Sequence, residues 1–228
     1  MENYTRLLPN LTAFPILGRD FQSTDYQLLD LSIYNPAFEN RDVTTYEGLD
    51  FYVQQFLKQH QAKVGYGGYE ENRIFYRQSP LFNDGKTLPR CIHLGIDLWS
   101  PAGTPVYAPL DAQVHSFRYN DQVLDYGATI ILQHTLENQP FYTLYGHLTL
   151  ASIQHLKKGQ TIQKGESFTA IGARNENGGW VPHLHFQVIL NMEAWDGDYP
   201  GVSTEAEAPH YLQNCPNPAL FFPFLNHW

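Results

Sequence analysis

The chain has 228 residues, 43% of them hydrophobic, and carries a formal charge of −9 with a pI near 5.5. That length and apolar content suffice to bury a substantial core. The acidic balance argues against nucleic acid, and against direct adhesion to anionic wall polymers or membranes, because long-range repulsion opposes both.

The first twenty residues, MENYTRLLPNLTAFPILGRD, place Glu2 and Pro9 early and offer no uninterrupted apolar core ahead of a small-residue cleavage site. They do not read as a signal peptide. No apolar run approaches the length of a transmembrane helix, and two cysteines, Cys91 and Cys215, do not make a secreted disulfide framework. The expectation is a cytoplasmic protein with free thiols and no membrane partner. Residues 1–75 hold one clear helical pattern. Thr44-Thr45-Tyr46-Glu47 reads as a capping box, Tyr46, Leu49, Val53, Phe56 and Leu57 form an apolar stripe, and Gly65 to Gly68 ends it. This segment is expected to be a helical extension packed on a β domain, or a segment that covers a cleft. In the join GGYEENRIFYRQSPLF, Arg73 is the residue to watch. Its guanidinium either clamps a substrate carboxylate through a bidentate pair or serves a structural role.

From Leu94 onward, short apolar runs alternate with clusters of Gly, Pro, Asn and Asp, the pattern of an antiparallel β domain. Pro105, Pro109 and Pro140 suit strand starts and edges. Ile92 to Trp99 reads as strand and turn, with His93 and Asp97 four residues apart and Gly95 between them. Imidazole and carboxylate are both good zinc ligands, and a glycine between them lets the backbone bend toward one ion. Tyr145-Gly146-His147-Leu148 follows the alternating stretch Phe141 to Leu144, which places His147 at or near a strand end. In His183-Leu184-His185 the two imidazoles project from one face of a strand while Leu184 points the other way. His134, closing the apolar strand Ile130-Ile131-Leu132, reads as a satisfied structural histidine.

Catalytic zinc takes three protein ligands and leaves a fourth position to water. Five candidates exceed that number. The surplus makes sense if two histidines stay unligated and act as proton carriers and oxyanion donors, with no glutamate base required. The hydroxyl of Tyr145 is a candidate support for one of those histidines or for the oxyanion, against the plainer reading of a core tyrosine.

Together these strings resemble the lysostaphin-type, or LytM-like, zinc endopeptidases, whose signatures are His-x-x-x-Asp and His-x-His. The likeness extends through PAGTPVYAPLDAQV, YGATIILQH and LKKGQTIQKGESFTAIG, in order, over about residues 90 to 190. The resemblance implies a mainly β fold, an antiparallel lysostaphin-type (duplicated hybrid motif) peptidase domain over residues 76–228 behind the N-terminal extension 1–75. It implies one zinc ion held by His93, Asp97 and His185, with His147 and His183 catalytic. The implied activity is zinc-dependent hydrolysis of peptide bonds by metal-activated water, on a peptide such as a muropeptide derived from peptidoglycan. The alternative is a non-catalytic or latent zinc-stabilised module that binds a peptide or partner protein. Trp180 and Val181 stand where many members carry small polar residues, which implies a pocket of different shape. DLSIYNPAF, GGYEENR and the tail after Leu190 resemble the version of this domain fused to phosphotransferase and aminotransferase domains, without bringing aminotransferase activity with it.

Overall fold

Strand residues of alternating polarity give the main sheet one apolar face and one face that carries a buried polar site. The computed structural model describes residues 12–77, 81–83, 85 and 88–222. Among these, an eight-stranded sheet runs in the order β1-β2-β4-β11-β8-β7-β6-β9. The strands are β1 (Tyr26–Leu28), β2 (Val64–Gly67), β4 (Ile96–Trp99), β6 (Ala112–Asn120), β7 (Gly127–Leu136), β8 (Gln139–Leu148), β9 (Thr161–Ile162) and β11 (His183–Ile189). Every pairing is antiparallel except β1 with β2. Two short antiparallel pairs complete the framework: β5 (Pro105–Tyr107) with β10 (Ser167–Ala170), and β3 (Ile92–His93) with β12 (Val202–Ser203). The fold is therefore mainly β and antiparallel, as the alternating pattern predicts.

One face of the sheet is mostly apolar. Ile96 and Leu98 of β4, Leu184, Phe186 and Val188 of β11, and Ile130 and Leu132 of β7 bury there with Val106 of β5 and the C-terminal Phe221 and Phe222. The opposite face is interrupted. Trp99 joins a cluster under the N-terminal helix, while Ile131, Leu144 and Ile189 join a second around Tyr199 and Cys215. Between these two clusters the same face carries Asp97, His183, His185 and Gln187, all buried. Period-two alternation along β4 and β11 thus separates a core face from a polar face.

In LKKGQTIQKGESFTAIG, Gly159 at φ 78° and Gly165 at φ 80° form turns ahead of β9 and β10. Such values favour glycine, which adopts them without a Cβ penalty.

The expected helix forms as α1 (Tyr46–His60), but its ends differ from expectation. The cap is Thr45, whose hydroxyl accepts from the Gly48 amide, so no capping box with Glu47 exists. Termination falls at Gln61, in the left-handed conformation at φ 53°, and Gly65 to Gly67 belong to β2 instead. The stripe buries Leu49, Tyr52 and Val53 against Leu29, Leu31 and Trp180. Full burial of Leu49 and Val53 contributes about 1.5–3 kcal/mol each. The N-terminal segment is more than a helix. β2 pairs with β4 directly beside Asp97, Gly67 opposite Asp97 itself, and Glu70 and Glu71 exchange backbone hydrogen bonds with His93.

Candidate metal centre

His93 is held from two sides, by pairing of β3 with Val202 and by the 70–71 turn, and its side chain is 1% exposed. Its Nδ1 donates to the Gly68 carbonyl at 2.9 Å. His185, in mid-β11, uses Nε2 to donate to Gln187 Oε1 at 3.0 Å, and Gln187 Nε2 in turn donates to the Pro200 carbonyl. These partners fix both tautomers, because a carbonyl oxygen can only accept. The remaining nitrogens, His93 Nε2 and His185 Nδ1, are then lone pairs, and they face each other at 2.9 Å. Asp97 Oδ1 completes the triangle at 3.4 Å from His93 Nε2 and 3.2 Å from His185 Nδ1. Three acceptor atoms converging in a buried space form a cluster compatible with a bound metal ion. Ligand atoms of these three residues all lie within 4.8 Å of one another. Two imidazoles and a carboxylate, each imidazole backed by an oxygen acceptor, are a donor set suited to zinc.

Gly95 serves this triangle differently from the sequence reading. Its φ is not in the left-handed region, and what it supplies is room. A Cβ there would sit 2.6 Å from His185 Cε1 and 2.8 Å from the Phe186 carbonyl oxygen.

His147 reaches the same face by an irregularity. Strict alternation after Tyr145 and Gly146 would send His147 into the apolar core. Instead β8 carries one extra residue relative to β7 between the pairs Ala128–Leu148 and Ile130–Tyr145, and His147 takes φ 62°. This bulge turns the imidazole toward the site while Leu148 returns to the core. A non-glycine residue held at positive φ is a strain found at functional positions. His147 Nδ1 donates to the Asn177 carbonyl at 2.9 Å, and His183 Nδ1 donates to the Val181 carbonyl at 2.7 Å. In both rings Nε2 is left without a proton. The ring centroids lie 4.2 Å apart, and His183 stacks on Trp99 at 4.1 Å.

Burial keeps these rings neutral. It pushes His93 down to about 3, with the Arg73 charge acting in the same direction, and it pushes His183 down to about 4 and His147 well below the ordinary imidazole value. Burial by itself would raise Asp97, but His93, Arg73 and His183 hold it well below the usual carboxylate range.

Arg73 lies on the site, though not where a substrate could use it. It is 1% exposed, with Nη1 2.5 Å from Asp97 Oδ2 and Nε 2.5 Å from Glu71 Oε2. The clamp on a substrate carboxylate is corrected to a buried pair with Asp97. Tyr145 is corrected as well. It sits opposite Phe186 on the apolar face, packs against Phe168 and Phe186, and shares a hydrogen bond with Thr143, so it supports no histidine of the site. Neither cysteine is in a disulfide, both are buried, and Cys215 Sγ accepts from Gln187 Nε2 at 3.2 Å.

A cleft of about 240 Å³ opens onto His93, His147 and His185, walled by Tyr126, Trp180 and Tyr199. The Trp180 ring meets His147 edge-on at 6.0 Å. Tyr126 lies 5.2 Å from the His185 ring and 5.8 Å from that of His147, its hydroxyl donating to the Tyr199 carbonyl. Sequence reasoning missed Gln187, Asn177 and Tyr126. Gln187 was within reach, since two residues after His185 on one strand means the same face. Asn177 has no such signal. Its amide bonds the Gly172 and Trp180 carbonyls and the Gly179 and Trp180 amides, which shapes the loop that presents its own carbonyl to His147.

Residues 91–197 match the model of Peptidase family M23. An uncharacterized metalloprotease of Haemophilus influenzae is 35% identical over 126 residues, which cover 53% of this chain and 24% of that protein. The peptidoglycan DD-endopeptidase ShyB of Vibrio cholerae is 31% identical over 119 residues, 51% of this chain and 25% of that protein. The chain thus spans about a quarter of the length of these curated relatives. Among solved structures, the catalytic domain of lysostaphin from Staphylococcus simulans aligns at 18% identity and TM-score 0.42, over 69% of this chain and 96% of that one. A zinc-containing peptidase from Vibrio cholerae aligns at 28% identity and TM-score 0.38, over 59% and 38%.

Proposed function

Starting from a chain whose residues 91–197 match the model of peptidase family M23, we propose that it is a member of that family, a zinc-dependent endopeptidase that hydrolyses peptide bonds in peptidoglycan-derived peptides. The observation that carries this reading is the pair of lone pairs, His93 Nε2 and His185 Nδ1, turned on each other at 2.9 Å beside Asp97 Oδ1. His93, Asp97 and His185 would hold the ion. Bound there, zinc supplies a Lewis acid that polarises a carbonyl and acidifies water at neutral pH.

The protein's own residues do the rest. His147 and His183, neutral and each anchored through Nδ1–H to a backbone carbonyl, offer Nε2 lone pairs toward the centre. Such a nitrogen can take the proton of an attacking water and then, as imidazolium, hydrogen-bond the oxyanion or return the proton to the departing amine. Trp99 fixes the plane of the His183 ring. Trp180 and Tyr126 flank the cleft and limit water around the reacting carbonyl. The DD-endopeptidase relatives support a peptidoglycan-derived substrate.

The test is elemental zinc content together with hydrolysis of a muropeptide and oligoglycine panel by the native chain and by His147→Ala. Near-stoichiometric zinc with turnover lost in the variant is the expected result. Zinc without cleavage by either protein favours a binding module, and no zinc after reconstitution overturns the proposal.

A further inference from the structure

Arg73 sits on a segment outside the matched family domain, yet it is buried against a candidate ligand. The two oxygens of Asp97 face different partners. Oδ1 points at His93 Nε2 and His185 Nδ1, whereas Oδ2 lies 2.5 Å from Arg73 Nη1. Glu71 holds the other edge of the guanidinium at 2.5 Å and is itself tied to the Leu31 amide by Oε1. Tyr76 hydroxyl bonds the same Nη1 at 3.2 Å. Room for the guanidinium comes from Gly68, where a Cβ would lie 1.8 Å from Nη2. The Gly68 carbonyl is also what fixes the tautomer of His93.

We propose that Arg73 is a positioning residue of the metal centre: it occupies Oδ2 of Asp97 so that the carboxylate presents Oδ1 alone to the ion. The inference rests on the zinc reading above. Arginine suits this role because its planar fork spans two carboxylates at once, which an ammonium does not do in fixed geometry. Charge supports it. Glu71 cancels Arg73, so the triad Glu71, Arg73 and Asp97 carries one net negative charge, the charge of Asp97 alone, and the ion keeps its attraction. The arrangement leaves buried Nη2 without a hydrogen-bond partner among the described residues, and a buried ion pair is by itself weak evidence of a stabilising role. The segment Gly67 to Tyr76 is accordingly part of the metal centre and not a removable cover.

Zinc affinity of the metal-free full-length chain, titrated against a chromophoric chelator, tests this. Arg73→Met and the charge-balanced double variant Arg73→Met/Glu71→Gln should each bind zinc 10–100-fold more weakly, the range for loss of a group that orients a ligand. Arg73→Lys should recover part of the loss. The double variant keeps the net charge of the triad at that of Asp97, as in wild type, and circular dichroism of the metal-free variant checks that the fold is kept. A second readout uses the unaltered protein: X-ray absorption or carboxylate stretching frequencies of the zinc-loaded chain should report monodentate carboxylate. Equal affinity in wild type and double variant, or bidentate Asp97 in wild type, overturns this inference while leaving the zinc site intact. Wild type that takes up no zinc overturns the metal reading and this inference with it.

Discussion

His185 Nε2 donates to Gln187 Oε1 at 3.0 Å, two residues further along the same strand. The bond decides which nitrogen of His185 faces the centre, and Gln187 is held for that task by the Pro200 carbonyl and Cys215 Sγ. Gln187→Leu keeps similar bulk and removes the acceptor. The imidazole then has no reason to keep its proton on Nε2, and zinc affinity should fall about 10–100-fold. Competition titration measures this, and an unchanged dissociation constant would show that the tautomer is fixed by something else.

Gly95 packs its Cα against the His185 ring and the Phe186 carbonyl. In Gly95→Ala the new Cβ meets the backbone at 2.8 Å as well as the ring at 2.6 Å, so rotating one side chain does not relieve it. Overpacking of this kind costs about 1–3 kcal/mol. Thermal unfolding of the metal-free variant should show the loss, together with lower zinc content. A variant as stable as wild type would mean that β4 and β11 separate easily at this point.

Much of this site is legible in the sequence because period-two alternation is geometric. His183 and His185 had to share a face, and Asp97 on the neighbouring strand pairs with His185 in register. The placement of His147 was legible only as a strand end. Alternation counts it into the core, and the β8 bulge that rescues it has no signature beyond Gly146. For Arg73 and Tyr145 the sequence left a functional and a structural reading open, and the structure supports the structural one. The deciding neighbours come from residues distant in sequence: Asp97 pairs with Arg73, and Phe168 and Phe186 enclose Tyr145. The role of the N-terminal segment was hidden for the same cause. Its stripe announced a helix, whereas the short, glycine-rich β2 is fixed by pairing with β1 and β4 and by burial of Val64 and Tyr66, none of which a periodic pattern reveals.

His134 offers a pH prediction that does not depend on metal. It is buried, with Nδ1 toward the Asp111 carbonyl and Nε2 toward Thr143 Oγ1, and burial lowers its pKa to about 4. Between about 6.5 and about 4 the unfolded chain binds a proton there that the folded chain does not. Stability therefore rises with pH across that window and is lost as pH falls through it, by up to roughly 3 kcal/mol from this residue. The buried rings of His93, His147 and His183 shift in the same direction, so the contribution of His134 is isolated by difference. Denaturant unfolding of metal-free wild type and His134→Gln at several pH values should give a shallower slope for the variant. Parallel slopes would mean that His134 titrates normally in the folded state.

Metal removal separates the residues proposed to hold the ion from those proposed to move protons. A ligand that binds only the folded state stabilises it by about 4 kcal/mol at 1,000 times its dissociation constant. Chelation should therefore lower the melting temperature of the native chain, and added zinc should restore it. In His185→Ala one of the three converging donors is gone, and the zinc-dependent shift should vanish. In His147→Ala that triangle is intact, so the shift should persist while hydrolysis is lost. Calorimetry with and without zinc on the three proteins reads out the difference. If His147→Ala abolished the shift as completely as His185→Ala, His147 would have to be counted among the ligands, and the division of labour between the imidazole pairs would be redrawn.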